Sequence, residues 1–390
     1  MMKHFLVFFL FFALGALNSS AAEPLTERAK VSLITCSEGD ELYSVFGHSA
    51  IRIMEPNAFD IVYNYGTFEF SDDFYLLFAQ GKLNYKLSST GFEYFNYEYV
   101  VSGRGMKEQV LNLTLDQKQG VFDFLKHNSL EENREYLYDF FYDNCATRIR
   151  DLFKEVLGGS LEFHSNFVPE SVTYRDLIDE KLAPMDWSDF GIDIALGIPC
   201  DKPVIAEQNM FLPDGVFAEF AAATIDGRPF VLADEELLPM ELKIENSMID
   251  WALMLCLFFV VLALIQVFVI SRKGRTSQLI PGLLFTISSL IGIGVFLLWF
   301  ATDHVTTKWN MNLIWAFPLH IFVFAVARKN PNKTKNYFRF VFIALVFFVL
   351  VGWTFKQSFH PGFFLIALAL AIVSYKYTGF GKKHLNLYSK

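Results

Sequence analysis

Trp251-Ala252-Leu253-Met254-Leu255-Cys256-Leu257-Phe258-Phe259-Val260-Val261-Leu262-Ala263-Leu264-Ile265-Gln266-Val267-Phe268-Val269-Ile270 carries no charge and is followed at once by Ser271-Arg272-Lys273-Gly274-Arg275. A run of about 20 apolar residues matches the hydrocarbon thickness of a bilayer, and a basic cluster at one end marks the cytoplasmic side. Four more apolar stretches follow, giving five in all, at about 250–270, 279–301, 312–327, 338–355 and 360–375. Arg272, Lys273 and Arg275 lie in one connector, Arg328, Lys329, Lys333, Lys335 and Arg339 in another, and Lys376, Lys382, Lys383 and Lys390 in the tail. The alternate connectors hold only Lys308 and Lys356. Twelve basic residues against two place the C-terminus in the cytoplasm and the first 249 residues outside it, which requires an odd number of spans.

The charge balance divides the chain at the same point. Of the 42 acidic residues, 40 precede position 250, together with 19 of the 33 basic ones, leaving about −21 before that point and about +12 after it. An acidic exported domain is unsuited to nucleic acid, whose phosphates call for Lys and Arg. The N-terminus reads as a signal peptide over 1–22: Lys3 and His4, an apolar run Phe5–Leu17, then Ser20-Ala21-Ala22 as a cleavage site. The rival reading is an uncleaved anchor helix. Export places Cys36, Cys145 and Cys200 in an oxidising compartment, with Cys36–Cys200 a candidate disulfide. Cys256 falls within the first span.

Residues 46–54 and 60–68 are β-rich runs on either side of Pro56-Asn57, so an antiparallel pair is expected. A second β-rich tract covers about 97–113. Thr114-Leu115-Asp116-Gln117 has capping-box spacing and opens a helix. A clearer helix starts at Cys145, with Ile149, Leu152, Phe153, Val156 and Leu157 on one stripe, Asp143 or Asn144 as its cap and Gly158-Gly159 as its stop. Residues 160–245 hold seven prolines and read as less regular.

Helix placement makes Cys145 the thiol of interest, because the unpaired N–H groups and dipole of a helix N-terminus favour an anion. The dipole contributes at most about 2 kcal/mol, roughly one and a half pK units, so a thiol titrating near ~8.5 needs a neighbouring imidazolium as well. His48 supplies it best, lying on a central strand beside Gly47. His127 ends a surface helix, His164 lies in a loop, and the other histidines fall outside the soluble domain. The alternative is a packed cysteine and a packed histidine with no chemistry between them. Asp303 and His304 share an outer loop with access to the same side. His320 and His360 sit in or beside spans, where an ionisable residue is a functional candidate unless a neighbouring helix satisfies it. No Cys-x-x-Cys or His-x-x-x-His pair and no Gly-rich phosphate loop is present, so neither metal nor cofactor is expected.

Gly47-His48-Ser49-Ala50-Ile51-Arg52, Tyr63-Asn64-Tyr65-Gly66-Thr67-Phe68 and Tyr142-Asp143-Asn144-Cys145-Ala146-Thr147-Arg148 resemble the Lnb family of bacterial lipoprotein N-acyltransferases. Asn310-Met311-Asn312-Leu313 and Trp315-Ala316-Phe317-Pro318 fit that family's membrane region. The resemblance implies an α+β fold: a permuted papain-like cysteine domain outside the cytoplasm, then an all-α bundle of about five transmembrane helices in the inner membrane. The implied divisions are a papain-like catalytic domain at 23–160, an accessory extracytoplasmic region at 161–249, a transmembrane domain at 250–378 and a cytoplasmic tail at 379–390. It also implies Cys145 as nucleophile and His48 as its base. Asn64 or Tyr65 would orient the imidazole according to an unfixed strand register, with Asn64 preferred because an amide carbonyl can fix the tautomer. Arg148, Tyr65, Asp303 and His304 are candidate substrate contacts, although Arg148 equally suits a salt bridge to Asp143 or Asp151. The implied acyl donor is a membrane phospholipid and the acceptor a diacylated lipoprotein. Alternatives are an NlpC-type cell-envelope peptidase or a non-catalytic, membrane-tethered assembly protein.

Overall fold

A computed structural model describes residues 24–69, 71–164, 171–239, 249–270 and 278–380. The expected signal peptide, the Ser271–Arg275 basic cluster and most of the expected tail lie outside these residues. The soluble half is built on strands β1 (Lys30–Cys36), β2 (His48–Glu55) and β3 (Phe59–Thr67), helix α1 (Phe74–Gln80), β4 (Asn84–Gly91), α2 (Phe92–Val101), β5 (Met106–Leu111), α3 (Leu115–Asn128), β6 (Glu135–Leu137) and α4 (Cys145–Leu157). After a small sheet of β7 (Leu161–Glu162), β8 (Thr224–Ile225) and β9 (Arg228–Pro229), β10 (Val231–Leu238) returns to the main sheet as its edge. That seven-stranded sheet runs β10-β5-β1-β2-β3-β4-β6, all neighbours antiparallel, with β2 at its centre.

The β2–β3 hairpin turns at Asn57, whose φ of 64° is one that Asn tolerates better than most residues. Thr114 and Gln117 close the capping box of α3. The 97–113 tract divides differently from expectation: 92–101 is helix α2, and only 106–111 is strand. The aromatics there follow the helical four-residue spacing, with Phe95 and Tyr99 turned into the sheet. Opposite faces of the sheet therefore carry α2 and α4. Leu33, Ile51, Ile53, Tyr63 and Tyr65 pack under Ile149, Leu152 and Phe153 of α4, while Ile34, Cys36, Ala50 and Val62 pack under Phe95 and Tyr99 of α2.

Residues 171–222 form α5 (Tyr174–Leu182), α6 (Asp186–Ala195), the single turn α7 (Ala206–Asn209) and α8 (Pro213–Ala222). They join the sheet domain to the membrane half. Arg175, buried, lies between Asp193 and Asp201: it pairs with Asp193 and donates from Nε to Asp201 Oδ1 at 2.8 Å. Asp201 in turn accepts from the Ser358 amide at 2.9 Å, and the carbonyls of Asp193 and Ile194 accept from Asn312 Nδ2 at 3.0 and 3.2 Å.

Among the described residues, the membrane half has four helices long and apolar enough to cross a bilayer: Trp251–Phe268, continuing α9 (Trp251–Ile265), α10 (Leu279–Phe300), Pro331–Thr354 and Pro361–Thr378. The expected third span is the exception. Only its second half is α-helical, as α11 (His320–Lys329), whose ten residues rise about 15 Å, half a hydrocarbon core; Met311–Ile314 is a single 3₁₀ turn. Helices α12 (Pro331–Val351) and α13 (Pro361–Thr378) complete the bundle. The failure of 312–319 to form a long helix has local causes. Asn310 and Asn312 spend their side chains on the carbonyls of α6, Trp315 Nε1 donates to Asn312 Oδ1 at 2.9 Å, and Pro318 lacks a donor. Ser288 and Ser289 of α10 donate to the freed carbonyls of Trp315 and Pro318. Gly292 makes the contact possible, since a Cβ there would fall 1.9 Å from the Ala316 oxygen. Irregular backbone at this depth is tolerated because it is buried in protein and its carbonyls are bonded.

Candidate active site

Asn144 caps the Cys145 helix by accepting from the amides of Ala146 and Thr147 at 2.8 and 2.9 Å, while Thr147 Oγ1 accepts from the Asn144 amide at 2.8 Å. Its Nδ2 donates to the carbonyls of Phe140 and Phe211 at 2.7 and 2.8 Å, tying the helix start to the preceding loop and to the 206–212 segment. Of the two candidate caps, Asn144 serves. Asp143 instead forms a bidentate ion pair with Arg148 at 2.5 and 2.7 Å.

The β2–β3 register pairs Ile51 with Tyr63 and Ile53 with Ile61. Alternation then puts Asn64 on the His48 face and Tyr65 on the other. Asn64 Oδ1 lies 2.6 Å from His48 Nε2. A carbonyl oxygen only accepts, so Nε2 carries the proton and Nδ1 is left free as an acceptor. Tyr65 is buried, donating to Asn128 Oδ1 at 2.7 Å on α3, away from the imidazole. Its candidacy as a substrate contact falls with that burial. Arg148 lies over the Tyr136 ring at 3.9 Å while held by Asp143, so the salt-bridge reading describes it and the substrate-contact reading does not.

Cys145 lies against His48, with the amides of Ser49 and Ala146 close to its sulfur. Burial pushes this thiol up, but the His48 charge, the His48 hydrogen bond and the two amides outweigh it, leaving it below the ordinary cysteine value. For His48, burial lowers the imidazole, whereas the Cys145 charge and the hydrogen bonds to Cys145 and Asn64 raise it above its ordinary value. Opposite shifts favour a thiolate–imidazolium pair near neutrality. Gly66 borders this contact, and its positive φ is why glycine stands there. It has φ of +91°, and a Cβ there would lie 3.6 Å from Cys145 Cβ and 3.8 Å from His48 Cε1. A glycine inside a strand marks close approach or a bulge, and the β3–β4 register shifts just here, between Asn64 and Thr67.

Cys36 lies opposite His48 across the β1–β2 pairing, and the other candidates lie elsewhere. Cys36 and Cys200 are free, buried in separate clusters, and pushed to about 12 by burial, so no Cys36–Cys200 disulfide forms in the structure. His127 contacts Asn133 and His164 contacts Thr224. His320 bonds Tyr337, and His360 pairs with Asp250. Asp303 and His304 meet α1: the Asp303 amide donates to Gln80 O at 2.9 Å, and His304 Nε2 donates to Phe78 O at 2.9 Å. They brace the membrane loop against the soluble domain and make no contact with Cys145.

The electrostatics give a pH test. A lowered thiol becomes nucleophilic thiolate at lower pH than a free cysteine, and the raised imidazole keeps its proton to higher pH than a free histidine. Iodoacetamide alkylation of Cys145 should therefore show an inflection below ~8.5, the value for free thiols. His48→Ala should move that inflection upward. An unchanged inflection in the variant would show that His48 does not hold the thiolate.

Two family models match the chain: the Lnb N-terminal periplasmic domain over residues 24–180 and the Lnb transmembrane domain over residues 243–384. No curated protein and no solved structure matches it. The first match spans β1 to α5 and includes Cys145, His48, Asn64 and Gly66, and the second spans all the membrane helices. The chain therefore belongs to the Lnb family, as a membrane protein with an N-terminal periplasmic domain and a C-terminal transmembrane domain.

Proposed function

We propose that this protein is a lipoprotein N-acyltransferase of the inner membrane, with its C-terminus in the cytoplasm. The observation that carries the reading is the Cys145–His48–Asn64 arrangement in a periplasmic domain braced on a membrane bundle. The Cys145 thiolate attacks the ester carbonyl of a phospholipid. As the tetrahedral intermediate collapses, the C–O bond breaks, the glycerol alkoxide takes the proton held by His48, and an acyl thioester remains on Cys145. The free α-amine of a diacylated lipoprotein's N-terminal cysteine attacks that thioester. His48 accepts the amine's proton, an amide forms, and the thiolate leaves unchanged. Splitting the transfer in this way gives two easier steps and ping-pong kinetics. The backbone N–H of Cys145, at the first position of its helix, would help stabilise the oxyanion. Asn64 acts as a positioning residue, keeping the proton on Nε2 so that Nδ1 faces the thiol. The strand bearing His48 precedes the helix bearing Cys145, the order of permuted papain-like enzymes, and five apolar stretches anchor the domain where both lipid substrates reside.

Trapping the intermediate tests this reading. Detergent-solubilised protein incubated with acyl-labelled phospholipid should acquire label on Cys145 that hydroxylamine releases. An envelope peptidase with the same Cys–His pair would stay unlabelled, and that result would overturn the proposal.

A further inference from the structure

Helix α1 follows directly from β3, the strand carrying Asn64 and Gly66, and Phe68 packs on Phe74 with ring centroids 5.1 Å apart. Phe74 is buried, but Leu76 and Phe78 on the same helix are exposed, at 58% and 48%. Two apolar side chains in the open are unremarkable by themselves. Their position is what matters. The Asp303 amide bonds Gln80, and His304 bonds Phe78. Asp303 lies only three residues beyond Phe300, the last residue of the α10 span, so α1 sits within about 10 Å of the end of that span.

That end of the bundle is ringed by exposed aromatics. Trp251 opens α9, Phe300 closes α10, Trp309 follows it, and Trp353 lies at the end of its span. Trp299 stacks on Phe300 at 4.9 Å and meets Trp309 at 5.4 Å. Such rings mark the bilayer–water interface. The apolar face of α1 continues this ring from the soluble domain. Helix α1 carries no Lys or Arg, and Asp72 and Asp73 precede it, so its attachment is apolar and needs no anionic headgroup.

Behind α1 lies a small cleft of about 40 Å³, lined by Phe78, Leu83, Tyr138, Phe140, Phe141 and His304. Its wall reaches both members of the reactive pair. Phe140 O accepts from the Asn144 cap of the Cys145 helix at 2.7 Å, and the Phe140 ring lies 4.7 Å from Phe46, two residues before His48.

We infer that α1 docks on the lipid bilayer, with Leu76 and Phe78 inserted among the acyl chains, and that this docking holds the Cys145 site where a phospholipid can reach it. The docking stands on the geometry of α1, and the delivery of lipid rests on the acyltransferase reading above.

The two halves are tested separately. The full chain carrying Cys145→Ser, with an environment-sensitive NBD label on Leu76→Cys, is placed in phosphatidylcholine nanodiscs containing doxyl-labelled lipid. Shallow doxyl groups should quench the label at 76 several-fold more than a label on Asp116→Cys, on the exposed start of α3. Equal quenching at both positions overturns the docking. An apolar label environment insensitive to doxyl lipid also overturns it, because it would mean that a second copy or a protein partner covers the face. For delivery, Leu76→Asp/Phe78→Asp should slow thioester formation from phospholipid by on the order of 10-fold or more, from the apolar burial lost at two side chains. Wild-type trapping with an unaffected double variant defeats the delivery role alone. Absence of trapping in the wild type defeats the acyltransferase reading and leaves the quenching result standing.

Discussion

Cys145→Ala should abolish acyl transfer: with the variant as the only N-acyltransferase in the cell, lipoproteins should be recovered entirely diacylated by mass spectrometry. The expected loss is at least about 10⁴-fold, because the nucleophile and its base work as a unit and removing one disables the other. Cys36 and Cys200 offer no substitute, since burial holds both as thiols pushed up to about 12. His48→Ala should cost roughly 10² to 10⁴-fold, the usual worth of a placed general base. Part of that loss is a thiolate left to the helix start and the two amides alone. Asn64→Ala should cost less than His48→Ala and lower kcat more than it raises KM, because the ring keeps its place in β2 but loses the hydrogen bond that fixes its tautomer. Triacylated lipoproteins in the Cys145→Ala strain would end the thioester mechanism outright.

The parts of the site that the sequence exposes are those set by local periodicity. Cys145 at a helix start is legible because Ile149, Leu152, Phe153 and Leu157 fix the helix phase and Gly158 its end. His48 on a central strand is legible for the same kind of reason. What no local pattern contains is register. Whether Asn64 or Tyr65 reaches His48 depends on how a turn at Pro56-Asn57 sets the pairing of two strands, and a slip of one residue would exchange them. Gly66 follows the same rule: a glycine in a β-rich run signals a bulge or an unusual φ, and its use here rests on the β3–β4 pairing. The membrane half shows the opposite failing. Hydropathy reports composition and not conformation, so the 312–327 stretch reads as a span although Asn310, Asn312 and Pro318 hold its first half out of a helix. Those asparagines bond the carbonyls of α6, more than a hundred residues earlier, and only tertiary structure shows that pairing.

The same seam supplies the largest expected effect on stability. Arg175 is almost wholly buried, and five groups converge on its guanidinium: both carboxylate oxygens of Asp201, one of Asp193, and the carbonyls of Leu196 and Gly197. Arg175→Leu keeps much of the bulk but leaves two buried carboxylates without their cation, a change worth about 3–5 kcal/mol in other proteins. In detergent micelles the melting temperature should fall by roughly 10 °C. The loss should depend on pH in a definite direction. Burial already raises Asp193 above the usual carboxylate range, with Arg175 pulling it back. Without that cation its folded value climbs further above the unfolded one. The unfolded chain then binds fewer protons than the folded one across the acidic-to-neutral range, so stability falls as pH rises. The variant should lie closer to wild type at pH 5 than at pH 8. Arg175→Leu/Asp193→Asn/Asp201→Asn should recover part of the deficit, since it removes the stranded charges along with their partner. A deficit equal at both pH values, or untouched in the triple variant, would show that Arg175 contributes by packing alone. The charged cluster would then not be what fastens Ser358 to the soluble domain through Asp201.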